Sequence, residues 1–450
     1  MTGKMIRFIG ILFVLCALLI GNSFSKKVPA DTQKLLLELG QTDCDDETES
    51  EAAKFRDSGV KFQCDVSNEE VSPSSVHQLR PEDIDVVGAI GDSYTAAFGA
   101  GANFLGPGAF REHRGLSFSV GGDETLESHV SIPNILHKYN PNLYGFSEGV
   151  GMENSNLNVA VTGATSEEFE AMVDQLIDHL VTDTQINMDE DWKLINVFLG
   201  GNDIFDSCLT PRFTPEYFKN LMISSFNTLK AMVPRALVNV MALPDIVELR
   251  KMTGVVCDVV HLSMCPCFYA GEDAIKKLQE LSKSYNTILE ELISSGDFDT
   301  DDFAIVYQPV TSTSYVPVAE NGRADDSFFA PDCIHLSRKG HASSAYHLWA
   351  NMLEPVNAKD TMWSPEMEEY LPCPKSPYIY TNRNSATQSV AGSLSANKQQ
   401  SSPDSKPKSL EGGVIAAIVV LVASVVFISG YLIYHNIFKS VKLRWSYERL

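Results

Sequence analysis

The chain has 450 residues, enough for one large domain or two ordinary ones. Hydrophobic residues at 44% and charged residues at 21% are ordinary globular proportions, which excludes wholesale disorder. A net charge of −23 repels phosphate polyanions, so nucleic acid is excluded as a partner.

Residues 1–25 read as a secretory signal: Lys4 and Arg7 precede an apolar run from Phe8 to Ile20, and the small residues Ser23 and Ser25 stand before Lys26. An N-terminal extension, 26–63, is acidic in its second half. Short runs that are apolar on both faces then recur at Ile84–Ile90, Leu157–Val161, Leu194–Leu199, Ala236–Met241 and Phe303–Tyr307. Such runs are expected of strands in a covered parallel sheet. Helical patterns separate them. Residues 166–181 place Phe169, Met172, Val173, Leu176, Ile177 and Leu180 at helical spacing behind a Thr165–Glu168 capping box. Thr214-Pro215 opens a second helix to about Val233, 271–295 form a third, and Ser337 caps a last one through Leu353. The alternation predicts an α/β fold with helices on both sheet faces and ligands beyond the carboxyl ends of the strands.

After Cys373 the composition turns polar and aperiodic, so 374–411 read as a flexible stalk. From Gly412 to Phe438 no Asp, Glu, Lys or Arg interrupts the chain, a length that spans a bilayer. Lys439, Lys442 and Arg444 follow at once, which puts the tail 439–450 in the cytoplasm and the remainder outside. Eight cysteines remain after Cys16 leaves with the signal, and an exported chain is expected to pair them as disulfides, in a connectivity the spacing leaves open. Cys265-Pro266-Cys267 is too tight for the usual zinc spacing, so no metal is expected.

Three motifs carry chemistry. Gly91-Asp92-Ser93 follows the first strand and projects a serine from the carboxyl edge of the sheet. Gly200-Gly201-Asn202-Asp203 follows a later strand and offers close backbone approach and an amide donor, although Gly and Asn are also ordinary turn residues. Asp332-Cys333-Ile334-His335 precedes the last helix, and an Asp three residues before a His can fix its tautomer from the same loop. His341 competes with His335 but lies inside the predicted helix, where it reads as a packing residue. Asp92 adjoins the serine and more naturally steadies the turn than serves as the triad acid.

In this order and setting the motifs resemble the GDSL, or SGNH, family of esterases and lipases. Its serine block matches at Gly91-Asp92-Ser93, its glycine block at Asn158 to Gly163, its asparagine block at Gly200 to Asp203 and its final block at Asp332 to His335. Further segments are similar to the membrane-anchored phospholipase B1 branch of that family: Arg80 to Ile84, Gly121-Gly122-Asp123, Pro133 to Leu136, Glu190 to Lys193, Val233 to Ala236 and Cys265-Pro266-Cys267. The chain departs from the usual block at Tyr94 to Gly99, where Phe98 makes the surroundings of Ser93 bulkier, and each motif occurs once rather than in tandem.

The resemblance implies a three-layer α/β/α, flavodoxin-like hydrolase domain over 64–373, joined through the stalk to one C-terminal transmembrane helix. It implies Ser93 as nucleophile, His335 as base and Asp332 as its orienting acid. The oxyanion donors would be the Ser93 and Gly163 N–H groups and the Asn202 side chain, with no metal or cofactor. The implied substrate is a phospholipid acyl ester, cleaved outside the cell by an anchored phospholipase and lysophospholipase with no obligate protein partner. Two other expectations stand beside it: an esterase of other lipids such as retinyl or glycerol esters, and a non-catalytic surface-binding protein.

Overall fold

The computed structural model describes residues 58–66 and 72–388, all within one compact unit. The signal-like segment 1–25, most of the N-terminal extension, Cys44, the apolar span 412–438 and the tail 439–450 lie outside the described residues. Among the described residues no helix is long and apolar enough to cross a membrane.

Four strands, β1 (Ile84–Gly91), β2 (Trp192–Phe198), β3 (Ala236–Met241) and β4 (Phe303–Gln308), pair in parallel in the order β1-β2-β3-β4. Every residue of β2, β3 and β4 is buried, as expected when both faces of a parallel sheet are covered. The helices are α1 (Ile132–Leu136), α2 (Phe169–Thr182), α3 (Gly201–Asp206), α4 (Pro215–Met232), α5 (Val255–Met264), α6 (Glu272–Ser294), α7 (Arg338–Met352) and α8 (Asn382–Gln388).

One expected strand differs. Leu157–Val161 forms only a single parallel bridge, Ala89 with Asn158, although Val159 N and Val161 N donate to Ala89 O and Gly91 O at 3.0 and 3.1 Å. Among the described residues no further strand lies beyond this run. Its outward carbonyls, Asn158 O and Ala160 O, are taken instead by the buried Arg114 guanidinium, each at 2.7 Å, which closes the open edge. Counted as a second strand in chain order, this edge gives the order 2-1-3-4-5, the flavodoxin-like arrangement, whose crevice opens between β1 and β2.

Side-chain alternation places helices on both faces. A Cβ added at Gly88 would meet Leu176 of α2, so its register partners Ile195 and Val238 also face that side. One residue on, Asn196 and Asn239 face the other side, where Asn239 Nδ2 reaches Met352 of α7. Helices α2, α4 and α6 pack in sequence over the first face, and α7 packs with α1. On the α7 side a buried polar ladder runs across the sheet. Gln308 donates to Asn239 at 2.7 Å, Asn239 to Asn196 at 2.9 Å and Asn196 to Ser119 O at 2.7 Å. Helix α2 begins at the expected capping box, with Thr165 N donating to Glu168 at 2.8 Å, and α7 begins at the Ser337 cap.

Part of the expected stalk, 374–411, packs on the body, and 389–411 lie outside the described residues. Ile379, Thr381 and Ser385 are buried, and Asn384 Nδ2 donates to His77 O at 3.0 Å. A polar composition does not prevent packing here, because side-chain amides and hydroxyls satisfy the backbone they cover. Three disulfides resolve part of the cysteine pairing: Cys64–Cys373, Cys208–Cys267 and Cys257–Cys333. The first joins the two ends of the body, beside the backbone pair Leu371 N to Lys61 O at 2.9 Å. Because it closes a very long loop, a Cys64→Ala/Cys373→Ala double variant should lose about 2–4 kcal/mol in urea unfolding, with ester hydrolysis retained under native conditions.

Candidate active site

The register sets the stage, because Gly91 at the end of β1 pairs with Phe198 at the end of β2. The chain leaves β1 in a tight turn, in which Ala96 N and Phe98 N donate to Asp92 O and Ser93 O at 3.0 and 2.9 Å. Only glycine fits at 91, since a Cβ there would lie 2.2 Å from Thr95 Oγ1 and 2.8 Å from Phe198 O. After β2, Gly200 adopts φ 122°, a left-handed conformation that favours glycine, and turns the chain into α3 with Asn202 and Asp203 in its first turn.

The structure brings the serine, histidine and aspartate together across 242 residues of chain. His335 Nε2 lies 2.7 Å from Ser93 Oγ, and His335 Nδ1 lies 2.5 Å from Asp332 Oδ2. Asp332 Oδ1 accepts the backbone N–H groups of Ile334 and His335 at 3.1 and 3.0 Å. Burial pushes the Asp332 carboxyl up, but the adjacent imidazole and these hydrogen bonds outweigh it and hold the group below the usual carboxylate value. A carboxylate at Asp332 can only accept, so Nδ1 of His335 carries the proton and Nε2 presents its lone pair to Ser93. His341 takes no part in this array. It is buried and stacked on Phe118, its Nδ1 accepts Phe118 N at 3.3 Å, and burial keeps it neutral with a pKa far below that of a free imidazole.

The remaining expected residues lie on the segments that follow the strands flanking β1. Gly163 lies on the loop between the 157–161 edge and α2. Asn202 Nδ2 donates to Ala164 O at 2.9 Å and to Asp92 Oδ2 at 3.2 Å, so it links the glycine block to the nucleophile turn. Asp92 Oδ1 also accepts Tyr94 N at 3.0 Å, in keeping with a turn-steadying position. No group of three or more His, Cys, Asp or Glu side chains among the described residues is arranged to hold a metal ion. Cys267 is instead bonded to Cys208.

Several braces have no signal in local sequence. Arg114 holds the glycine block through Asn158 O and Ala160 O and is itself paired with Glu112 at 2.9 Å. Glu112 in turn accepts Thr162 Oγ1 at 2.6 Å. Tyr94 OH donates to Ile334 O at 2.6 Å, joining the nucleophile turn to the histidine loop, and the Tyr94 and Phe98 rings lie 5.5 and 5.0 Å from the His335 ring. Cys333, between Asp332 and Ile334, sits at φ 62° and is held twice by α5. The holds are its disulfide to Cys257 and a 3.0 Å bond from His261 Nε2 to its carbonyl. The carbonyl cannot donate, so His261 carries its proton on Nε2.

Asp203, next to Asn202, is buried and bonded to Ser166 through both backbone N–H, at 2.9 Å, and hydroxyl. Burial raises its carboxyl to about 7. The folded protein therefore keeps a proton here that the unfolded chain releases near about pH 4, and stability due to this group falls as pH rises from about 4 to 7. An amide at this position reproduces the protonated acid: its oxygen accepts Ser166 N and its nitrogen donates to the hydroxyl. Melting temperatures measured from pH 5 to 8 should decline less steeply for Asp203→Asn than for the parent, with the gap widest at pH 8.

The model of the GDSL-like lipase/acylhydrolase family matches residues 87–348, a span from β1 into α7 that contains every motif above. The chain is 41% identical over 368 residues to the rat protein named phospholipase B1, membrane-associated, covering 78% of this chain and 25% of that protein. The mouse protein of that name is 43% identical over 345 residues, covering 73% and 23%, and the human one 40% over 346 residues, covering 73% and 24%. The chain thus spans about a quarter of the length of these curated relatives. With more than half its length matched by the family model and its motif residues gathered at one sheet edge, this chain belongs to the GDSL-like lipase/acylhydrolase family.

Proposed function

We propose that the protein is a serine-dependent phospholipase and lysophospholipase that cleaves fatty-acyl esters of glycerophospholipids. The observation that carries this reading is the unbroken chain from Ser93 Oγ through His335 to Asp332 at 2.7 and 2.5 Å. Ser93 attacks the ester carbonyl carbon while His335 Nε2 takes its proton, and Asp332 holds the imidazolium that results. The tetrahedral oxyanion accepts from the Ser93 and Gly163 N–H groups and from Asn202. Asn202 Nδ2 donates to Ala164 O and, over a longer 3.2 Å, to Asp92, and the oxyanion replaces the longer bond. Collapse expels the alcohol, protonated by His335. The same imidazole then removes a proton from the water that releases the fatty acid.

An apolar cavity supports an acyl substrate. It is lined by Tyr94, Phe118, Phe198, Met241, Leu249 and Leu336, among others, and Tyr94 and Leu336 are the residues next to Ser93 and His335. The relatives' shared name, phospholipase B1, membrane-associated, supports a phospholipid over another lipid ester. The signal-like segment, the uncharged stretch 412–438 and the disulfides support a single-pass protein with its catalytic domain outside the cell.

A fluorophosphonate probe should label the protein, and Ser93→Ala should lose labelling together with about four to six orders of magnitude in kcat. Labelling that persists in the variant would rule Ser93 out as nucleophile. Fatty acid release should be compared on phosphatidylcholine, lysophosphatidylcholine and retinyl ester, and cleavage of the retinyl ester alone would assign the protein to other lipids. Because Asp332 holds the His335 tautomer whose Nε2 faces Ser93, Asp332→Asn should cost about 10⁴-fold in kcat, and a variant that keeps the parental rate would contradict that role.

A further inference from the structure

Helix α5 is built inside out. Its buried residues are Cys257 and His261, four apart, whereas Val255, Val256, Val259 and Leu262 are 71%, 43%, 42% and 41% exposed. At about 100° per residue these four fall within ~120° of arc, and Cys257 and His261 lie on the opposite side. Ser263 shares the outer face, but its hydroxyl is turned back to Val260 O at 2.9 Å. The outer face thus presents apolar side chains and no charged group, which is unusual for the solvent side of a helix.

The inner face explains where this surface belongs. Cys257 is bonded to Cys333, and His261 donates to the carbonyl of the same residue. Cys333 stands between Asp332 and His335 in the catalytic loop, so both inner side chains of α5 grip the segment that carries the acid and the base. Whatever rests on the outer face is therefore one helix diameter, roughly 10–12 Å, from the loop of the reacting groups.

We propose that the Val255, Val256, Val259 and Leu262 face of α5 is an interfacial docking surface, which rests on a neutral or zwitterionic lipid layer and holds the catalytic loop at its edge. This rests on the phospholipase reading, since a long-chain ester substrate stays in an aggregate and must be met at its surface. Charge selects the occupant. The face carries no cation, and a chain of net charge −23 is repelled by an anionic layer, which leaves apolar contact with an uncharged or zwitterionic one. The chain also continues from Gln388 through the uncharged stretch 412–438, long enough to span a bilayer, so on the reading above a lipid surface is always nearby.

The test uses the full chain with Leu262→Trp, with Met232→Trp as a control on an exposed site of α4. In vesicles of brominated phosphatidylcholine the tryptophan added at 262 should be quenched relative to vesicles of unbrominated lipid, and the one at 232 should not. In parallel, the Val259→Asp/Leu262→Asp variant should hydrolyse a monomeric short-chain ester at the parental rate and vesicle phosphatidylcholine about tenfold more slowly, or slower still. No quenching at 262, or an unchanged ratio of vesicle to monomer rates, would overturn the proposal. So would a concentration-dependent dimer that the double variant disperses, since the face would then bind a second copy. If the parent cleaves the short-chain ester but no phosphatidylcholine, the substrate reading fails by itself and quenching at 262 still decides the docking face.

Discussion

The structure depends on bringing Ser93 and His335, far apart in the chain, within 2.7 Å at the carboxyl edge of a parallel sheet. A hydrogen bond of that length tolerates little drift, and a displacement of about 1 Å in a catalytic array can cost on the order of 100-fold in rate. The level register of β1 and β2 supplies one half of the constraint, by fixing where the nucleophile turn leaves the sheet. The other half is the loop from Ala330 to Ser337. It closes on itself through Ala330 N to His335 O at 2.7 Å and is then held from outside by Tyr94, Cys257 and His261.

These holds share a physical pattern. Arg114, Asp203 and His261 are each buried, and each bonds to loop backbone near the site. Burying such groups is unfavourable unless their hydrogen bonds are made, so each one couples the loop's position to the stability of the whole body. For Asp203 the penalty is visible as a carboxyl raised to about 7. For Cys333 the corresponding burden is backbone strain, since a non-glycine residue at φ 62° persists only where its surroundings impose it. Strain and long-range polar braces thus surround the reacting groups, whereas the strands below them are mostly apolar, with polar exceptions such as the Gln308, Asn239 and Asn196 ladder.

That division explains what could be read from the sequence. Strands β1 to β4 and helices α2, α4, α6 and α7 were legible because each buries a face or a stripe at its own period, and the caps at Thr165, Thr214 and Ser337 use local chemistry. The serine, asparagine and histidine motifs were legible because their functional residues sit at short fixed spacing. Arg114 was not, since the carbonyls it holds lie more than 40 residues away and nothing local distinguishes it from a surface arginine. The edge at 157–161 looked like its neighbours because apolar composition does not report whether a strand has a partner on its far side. The packing of 379–385, within the expected stalk, was hidden for the converse reason: Thr381 and Ser385 are polar, yet they are buried.

Helix α5 carries this argument furthest. Its apolar residues recur at a helical spacing that, by composition, would be turned inward, while its only histidine and cysteine would be assigned to chemistry or chance. The structure turns the cysteine and histidine inward instead, since a disulfide joins Cys257 to Cys333 and His261 Nε2 donates to the carbonyl of the same residue. A covalent tie to the catalytic loop therefore decides which side of the helix meets solvent. The apolar side is left outward as a consequence of how the acid and base are held. On the proposed function, that outward side is a contact surface for the lipid layer, and its position relative to His335 is set by the same two bonds that brace the site.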